Sequence, residues 1–124
     1  MTYTFTQHVP KHIFRTYDIR GIVEQELNPD IIYSIARAIG TLAIESGENT
    51  IWIGRDGRLS GPKLLSALSQ GLLDSGCDVI NLGQITSPIL YFACYKCYPT
   101  NGVMLTGSHN PSNYNGLKLV IQRK

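Results

Sequence analysis

Apolar residues recur at helical spacing after Asn28-Pro29, where Ile31, Ile32, Ile35, Ala36, Ile39, Leu42 and Ala43 fall on one face. An asparagine cap and a first-turn proline open this stretch, so the pattern predicts a helix over residues 29–46 that stops at Gly47. Ser60-Gly61-Pro62 opens a second helix with Leu64, Leu65, Leu68, Leu72 and Leu73 inward, ending at Gly76. Ser87-Pro88 starts a third, residues 89–98, with Leu90, Ala93, Cys94 and Cys97 toward a sheet. Between the helices lie short apolar runs of strand type at residues 51–54, 77–82 and 103–105. A further strand over residues 117–121 returns antiparallel beside the third, because so short a connection cannot make a crossover. Residues 1–13 show no firm period and read as an arm, and Tyr17-Asp18-Ile19-Arg20-Gly21 reads as an extended segment and turn.

The order helix, strand, helix, strand, helix, strand, strand predicts an α/β domain with three parallel strands and a final antiparallel one. In such sheets functional loops gather at the carboxyl ends of the parallel strands. That rule puts Arg55-Asp56-Gly57-Arg58 and Thr106-Gly107-Ser108-His109 on one edge of the sheet. The two arginines suit either an anion cradle or a turn salt-bridged to Asp56.

With 124 residues the chain is one domain, and 43% hydrophobic against 16% charged residues indicates a globular protein. A net charge of +2, with basic and acidic residues dispersed, favours neither a nucleic-acid nor a membrane partner, so anion recognition must come from local clusters. Cys77, Cys94 and Cys97 are too few for a secreted disulfide framework. Cys94-x-x-Cys97 falls late in a helix, whereas redox pairs exploit a helix N-terminus, so the thiols read as structural. No basic-then-apolar leader and no apolar run of about 18 residues occurs, which reads as a cytoplasmic protein.

The chemistry concentrates between Gly102 and Lys118. The strand over residues 103–105 runs into Thr106-Gly107-Ser108-His109-Asn110-Pro111, residue types of a fixed polar loop, and Asn115-Gly116 reads as the turn that closes it. Ser108 and Lys118 then lie on two rims of one loop. Three readings of Ser108 stand open: a turn former, an acyl-transfer nucleophile prompted by His109, and a phosphoryl carrier whose dianion is stabilised by loop amides and cations. The second lacks the Gly-x-Ser-x-Gly elbow. Lys118 is the one charge within residues 117–121, which suits an edge-strand lysine or, held near other cations, a proton carrier.

Thr106-Gly107-Ser108-His109-Asn110-Pro111 followed by Asn115-Gly116-Leu117-Lys118 resembles the phosphoserine loop of the alpha-D-phosphohexomutases, most closely the bacterial phosphomannomutase/phosphoglucomutase branch. Phe14-Arg15-Thr16-Tyr17-Asp18-Ile19-Arg20-Gly21 and Gly54-Arg55-Asp56-Gly57-Arg58 resemble two more stretches of that family's first domain, in the same order. The resemblance implies a three-layer α/β/α domain with a four-stranded mixed sheet of order 2-1-3-4, the last strand antiparallel. It also implies that residues 1–124 are the first of four domains, and Lys124, directly after an apolar strand, reads as a cut before the other three.

By the same resemblance, phospho-Ser108 passes its phosphate to a hexose 1- or 6-phosphate, hexose 1,6-bisphosphate turns over in the site, and the other phosphate returns to the serine. Ser108 and Lys118 are then catalytic, Lys118 as general acid/base, and His109 orients serine or substrate. Arg20 and Tyr17 lie by the entrance, Arg20 able to contact phosphate. Magnesium is implied, bound to Ser108 through its phosphate, with the remaining ligands outside this chain, because Asp18, Asp30, Asp56, Asp74 and Asp78 show no ligand spacing. Hexose phosphates and the other three domains are the implied partners, and the domain alone is expected to be inactive. The alternative is a non-catalytic anion-binding or interaction domain.

Overall fold

The computed structural model describes residues 2–14 and 18–121. The elements are β1 (Ile19–Ile22), α1 (Pro29–Glu45), β2 (Thr50–Arg55), α2 (Gly61–Asp74), β3 (Asp78–Gln84), α3 (Ser87–Lys96), β4 (Gly102–Leu105) and β5 (Tyr114–Val120), with a short 3-10 turn at Lys11–Ile13. They form one five-stranded sheet of order β1-β5-β4-β2-β3. β2 pairs parallel with β3 and β4, while β5 pairs antiparallel with β4 and β1.

Each helix begins where its residue types demand. The Asn28 side chain accepts from the Ile31 amide at 2.9 Å and Pro29 opens α1. α1 and α2 pack so closely at Gly71 that an added Cβ would meet the Tyr33 carbonyl oxygen at 2.6 Å. Their apolar faces, with Ile51, Ile53, Val103, Leu105 and Leu117 from the sheet, make the main core. Among the described residues the opposite face is covered by α3, through Leu90 and Cys94 against Met104. This is the α/β/α layering, and α3 leaves Ile89, Phe92 and Tyr95 exposed on its outer side.

The sheet differs from expectation by one strand. The order 2-1-3-4 is present as β3-β2-β4-β5, but β1 adds a fifth strand beside β5. Ile19 to Ile22 pair with Leu117 to Tyr114, so β5 is not an edge strand. Asn115-Gly116 is not a turn either: both residues are buried in β5. A Cβ on Gly116 would collide with the Ile19 carbonyl oxygen, and the Asn115 side chain donates to Ser60 Oγ at 2.8 Å. The tertiary demand for a strand without a side chain thus overrides a local turn signal. The arm contributes to the core as well, since Ile13 is fully buried and Tyr3 and Val9 pack against the cluster. Leu42, Leu73 and Cys97 lie outside the core faces assigned to them, and all three are exposed.

Candidate active site

β2, β3 and β4 end on the same edge, and the segments that follow them enclose a cleft of about 720 Å³. Asp56 follows β2, Thr86 and Ser87 open α3 just after β3, and Thr106, Ser108 and His109 follow β4. The sheet-edge expectation for these loops is met. The N-terminus of α3 borders the cleft, with Thr86 as its cap residue and no side-chain capping bond. Free amides at a helix start carry partial positive charge, which favours an anion in front of them.

The Ser108 loop is held from both ends. Thr106 N–H donates to the Gly116 carbonyl at 2.9 Å, Gly107 N–H to Asp56 Oδ2 at 3.2 Å, and Ser108 N–H to Thr106 Oγ1 at 3.0 Å. Asn110 N–H returns to the Gly107 carbonyl at 3.0 Å. Ser108 itself has φ of 55°, the left-handed region that costs a non-glycine residue about 1 kcal/mol or more. The loop therefore presents one strained, half-buried serine at the cleft wall.

Arg58 is the clamp. Its guanidinium donates to four loop carbonyls: Ser108 at 3.0 Å, Asn110 at 2.8 Å, Pro111 at 2.6 Å and Tyr114 at 3.1 Å. Its Nε donates to Asp56 Oδ2 at 3.2 Å. Gly107 has no side chain because an added Cβ would overlap the guanidinium. Burial pushes the Asp56 carboxyl up, but bonds from the Thr106 hydroxyl, the Arg58 and Gly107 amides and the Arg58 side chain outweigh it and hold the group below the ordinary aspartate range. Neither Arg55 nor Arg58 is arranged as a free anion cradle: Arg55 donates to the Asp56 carbonyl at 3.0 Å.

Sheet register fixes two of the other expected residues, Lys118 on β5 and Arg20 on β1. Lys118 pairs with Met104, a residue of the cleft wall, and is half-buried, its side chain making no hydrogen bond or ion pair among the described residues. Arg20 pairs with Gly116 and is ion-paired to Asp18 at 2.6 Å. Tyr17 lies outside the described residues. His109 lines the cleft and is exposed. Among the described residues no group of three His, Cys, Asp or Glu side chains gathers to hold a metal ion, and Asp56 is already committed to the loop. The described side chains thus supply no ligand set for the magnesium that the resemblance implies.

Residues 11–123 match the model of the family described as phosphoglucomutase/phosphomannomutase, alpha/beta/alpha domain I. The chain belongs to this family. It is 53% identical over 113 residues to a phosphomannomutase/phosphoglucomutase of Pseudomonas syringae, covering 91% of this chain and 24% of that protein. A phosphoglucomutase of Neisseria gonorrhoeae is 50% identical over the same share of this chain and 25% of its own. A solved phosphoglucomutase/phosphomannomutase family protein of Burkholderia thailandensis superposes with a TM-score of 0.86 at 39% identity, covering 91% of this chain and 26% of that one. The chain thus spans about a quarter of the length of the relatives it matches.

Within this phosphohexomutase domain I, sequence reasoning found the serine loop and missed what holds it. Arg58 and Asp56 lie about fifty residues upstream of the loop they fix, and only the Gly-Arg-Asp-Gly-Arg turn signalled that the charges had a use. Of the three thiols read as structural, Cys77 and Cys94 are buried and Cys97 is exposed. Burial pushes the Cys94 thiol up to about 11, helped by the charge of Glu48, which makes it a poor nucleophile and redox partner. No described helix is long and apolar enough to cross a membrane.

Proposed function

We propose that this chain is the phosphoserine domain of a phosphomannomutase/phosphoglucomutase that interconverts hexose 1-phosphate and hexose 6-phosphate through hexose 1,6-bisphosphate. The observation that carries the reading is Ser108 itself, held in a left-handed conformation at the wall of the cleft that the start of α3 borders. A turn former with no further role has no need of that strain, and the inference runs from the outlier to function.

In the forward step a hydroxyl oxygen of the bound hexose phosphate attacks phosphorus, and the bond from phosphorus to Ser108 Oγ breaks. The proton of the attacking hydroxyl ends on Ser108 Oγ, so charge and atoms balance. Lys118 is assigned to carry that proton, and its place beside Met104 on the sheet supports the role. Arg20, on the neighbouring strand, is assigned to the phosphate that does not react. His109 orients the serine or the substrate, and Tyr17 borders the entrance. Among the described residues, Ser108 through its phosphate is the one assigned to hold a magnesium ion, with the remaining ligands assigned outside this chain. Most of the catalysis of such a transfer is positioning and charge stabilisation, which suits a loop fixed by so many bonds.

The test joins this chain to the three following domains of a relative and assays interconversion of glucose or mannose 1- and 6-phosphates. Turnover abolished by Ser108→Ala supports the reading. Turnover retained in that variant refutes it, and a chain that binds hexose phosphate without turnover selects the non-catalytic alternative.

A further inference from the structure

Five consecutive amides, Thr106 to Asn110, form the serine loop, and four of them have acceptors: the Gly116 carbonyl, Asp56, Thr106 Oγ1 and the Gly107 carbonyl. His109 N–H has none among the described residues. The carbonyl of the same peptide, that of Ser108, accepts from Arg58 Nη2 at 3.0 Å. In a trans peptide the C=O and N–H point in opposite directions, so fixing the Ser108 carbonyl on Arg58 turns His109 N–H away from the guanidinium, toward the open side of the loop. This bond is one of four that converge on the same group, so the peptide cannot rotate without breaking a shared clamp.

We infer that Arg58 is a positioning residue whose four carbonyl contacts aim the His109 backbone N–H at the phosphoryl group on Ser108, making that amide a dedicated donor to the phosphate. The inference rests on the reading of Ser108 as phosphate carrier and assigns to the backbone, not to the imidazole, the contact that His109 makes. An amide next in sequence to the phosphorylated residue needs no reorganisation to meet the phosphate, and an anion in front of it satisfies the one of these five amides that has no acceptor among the described residues. Arg58 contributes little as a direct phosphate ligand, because its donors are spent on the loop.

The experiment uses this chain with phosphoserine installed at position 108 during synthesis, so that it does not depend on enzymatic loading. The amide proton of His109 is followed by ¹H–¹⁵N correlation and the phosphate by ³¹P titration. Phosphorylation should move the His109 amide far downfield, and the phosphate should titrate below the value near 6 of free phosphoserine. Arg58→Lys keeps the charge but lacks the planar fork, so it should abolish the downfield shift and return most of the titration midpoint, as Arg58→Met does. Joined to the further domains, Arg58→Lys should lose about 10²-fold in kcat, with KM nearly unchanged. A His109 amide that does not respond to phosphorylation, or an Arg58→Lys chain indistinguishable from the unsubstituted one, overturns the inference. Should the arginine variants unfold, the unsubstituted phosphorylated chain still decides, because the His109 shift is read there. Failure of hexose 1,6-bisphosphate to load Ser108 would count against the mutase reading and leave the amide result standing.

Discussion

Arg20 and Lys118 are diagonal neighbours across the β1 and β5 pair. Arg20 stands opposite Gly116, and Lys118 is two residues further along β5 on the same face. Leu117, between Gly116 and Lys118 on β5, points into the main core, so alternation turns both cations to the α3 side, where Lys118 stands beside Met104. The two groups assigned to proton transfer and to phosphate therefore share one sheet face, next to the wall of the Ser108 cleft.

Their roles separate in kinetics. In the chain joined to the further domains, Lys118→Met is expected to lower kcat by about 10²- to 10⁴-fold with little change in KM, since a proton carrier acts in the transition state. Arg20→Ala should raise KM and lower kcat together, because a phosphate-holding group also acts in the ground state. Steady-state rates over a range of hexose phosphate concentrations check both.

Asp56 ties the serine loop to pH. Its carboxyl is held below the ordinary range in the folded state, so its stabilisation is fully present above about pH 4, where the unfolded aspartate is also charged, and is lost as pH falls through the lower folded-state value. Asp56→Asn should lower Tm at pH 7, and the gap to the unsubstituted chain should narrow as the pH is taken below about 4. Thermal melts across that range measure it. A gap that stays constant in acid would mean that the Asp56 charge does not stabilise the fold.

Gly116 is where β1 lies closest to β5. Gly116→Ala should destabilise by about 1–3 kcal/mol through overpacking against the Ile19 carbonyl, with the midpoint of urea unfolding lowered and the slope unchanged.

How far this was legible in the sequence depends on the range of the interactions. The three helices and four of the strands follow from local period and caps, because Ile31 to Ala43 and Leu64 to Leu72 repeat every turn. The residues of β1 read in sequence as an extended segment and turn, since four residues with a glycine and an arginine carry no period; pairing with β5 makes them a strand. Asn115-Gly116 misled for the related reason that a local turn signal yields to a neighbouring backbone that needs room. In the site, Ser108, His109 and Lys118 came from a contiguous motif. The Arg58 clamp rests on contacts that no window of sequence spans.

Strain at Ser108 gives a further outcome. Ser108→Gly should raise stability by about 1 kcal/mol relative to Ser108→Ala, because glycine enters the left-handed region freely, while neither can carry the proposed phosphate. Urea unfolding of the two variants measures the difference.

In the proposed reaction Ser108 stores the phosphate. Intact-mass analysis of the chain joined to the three further domains, after incubation with hexose 1,6-bisphosphate, should find one added phosphoryl group, mapped by fragmentation to Ser108 and discharged by hexose 6-phosphate. A protein that stays unmodified, or carries the phosphate elsewhere and still takes it up in Ser108→Ala, would rule out Ser108 as the phosphate store.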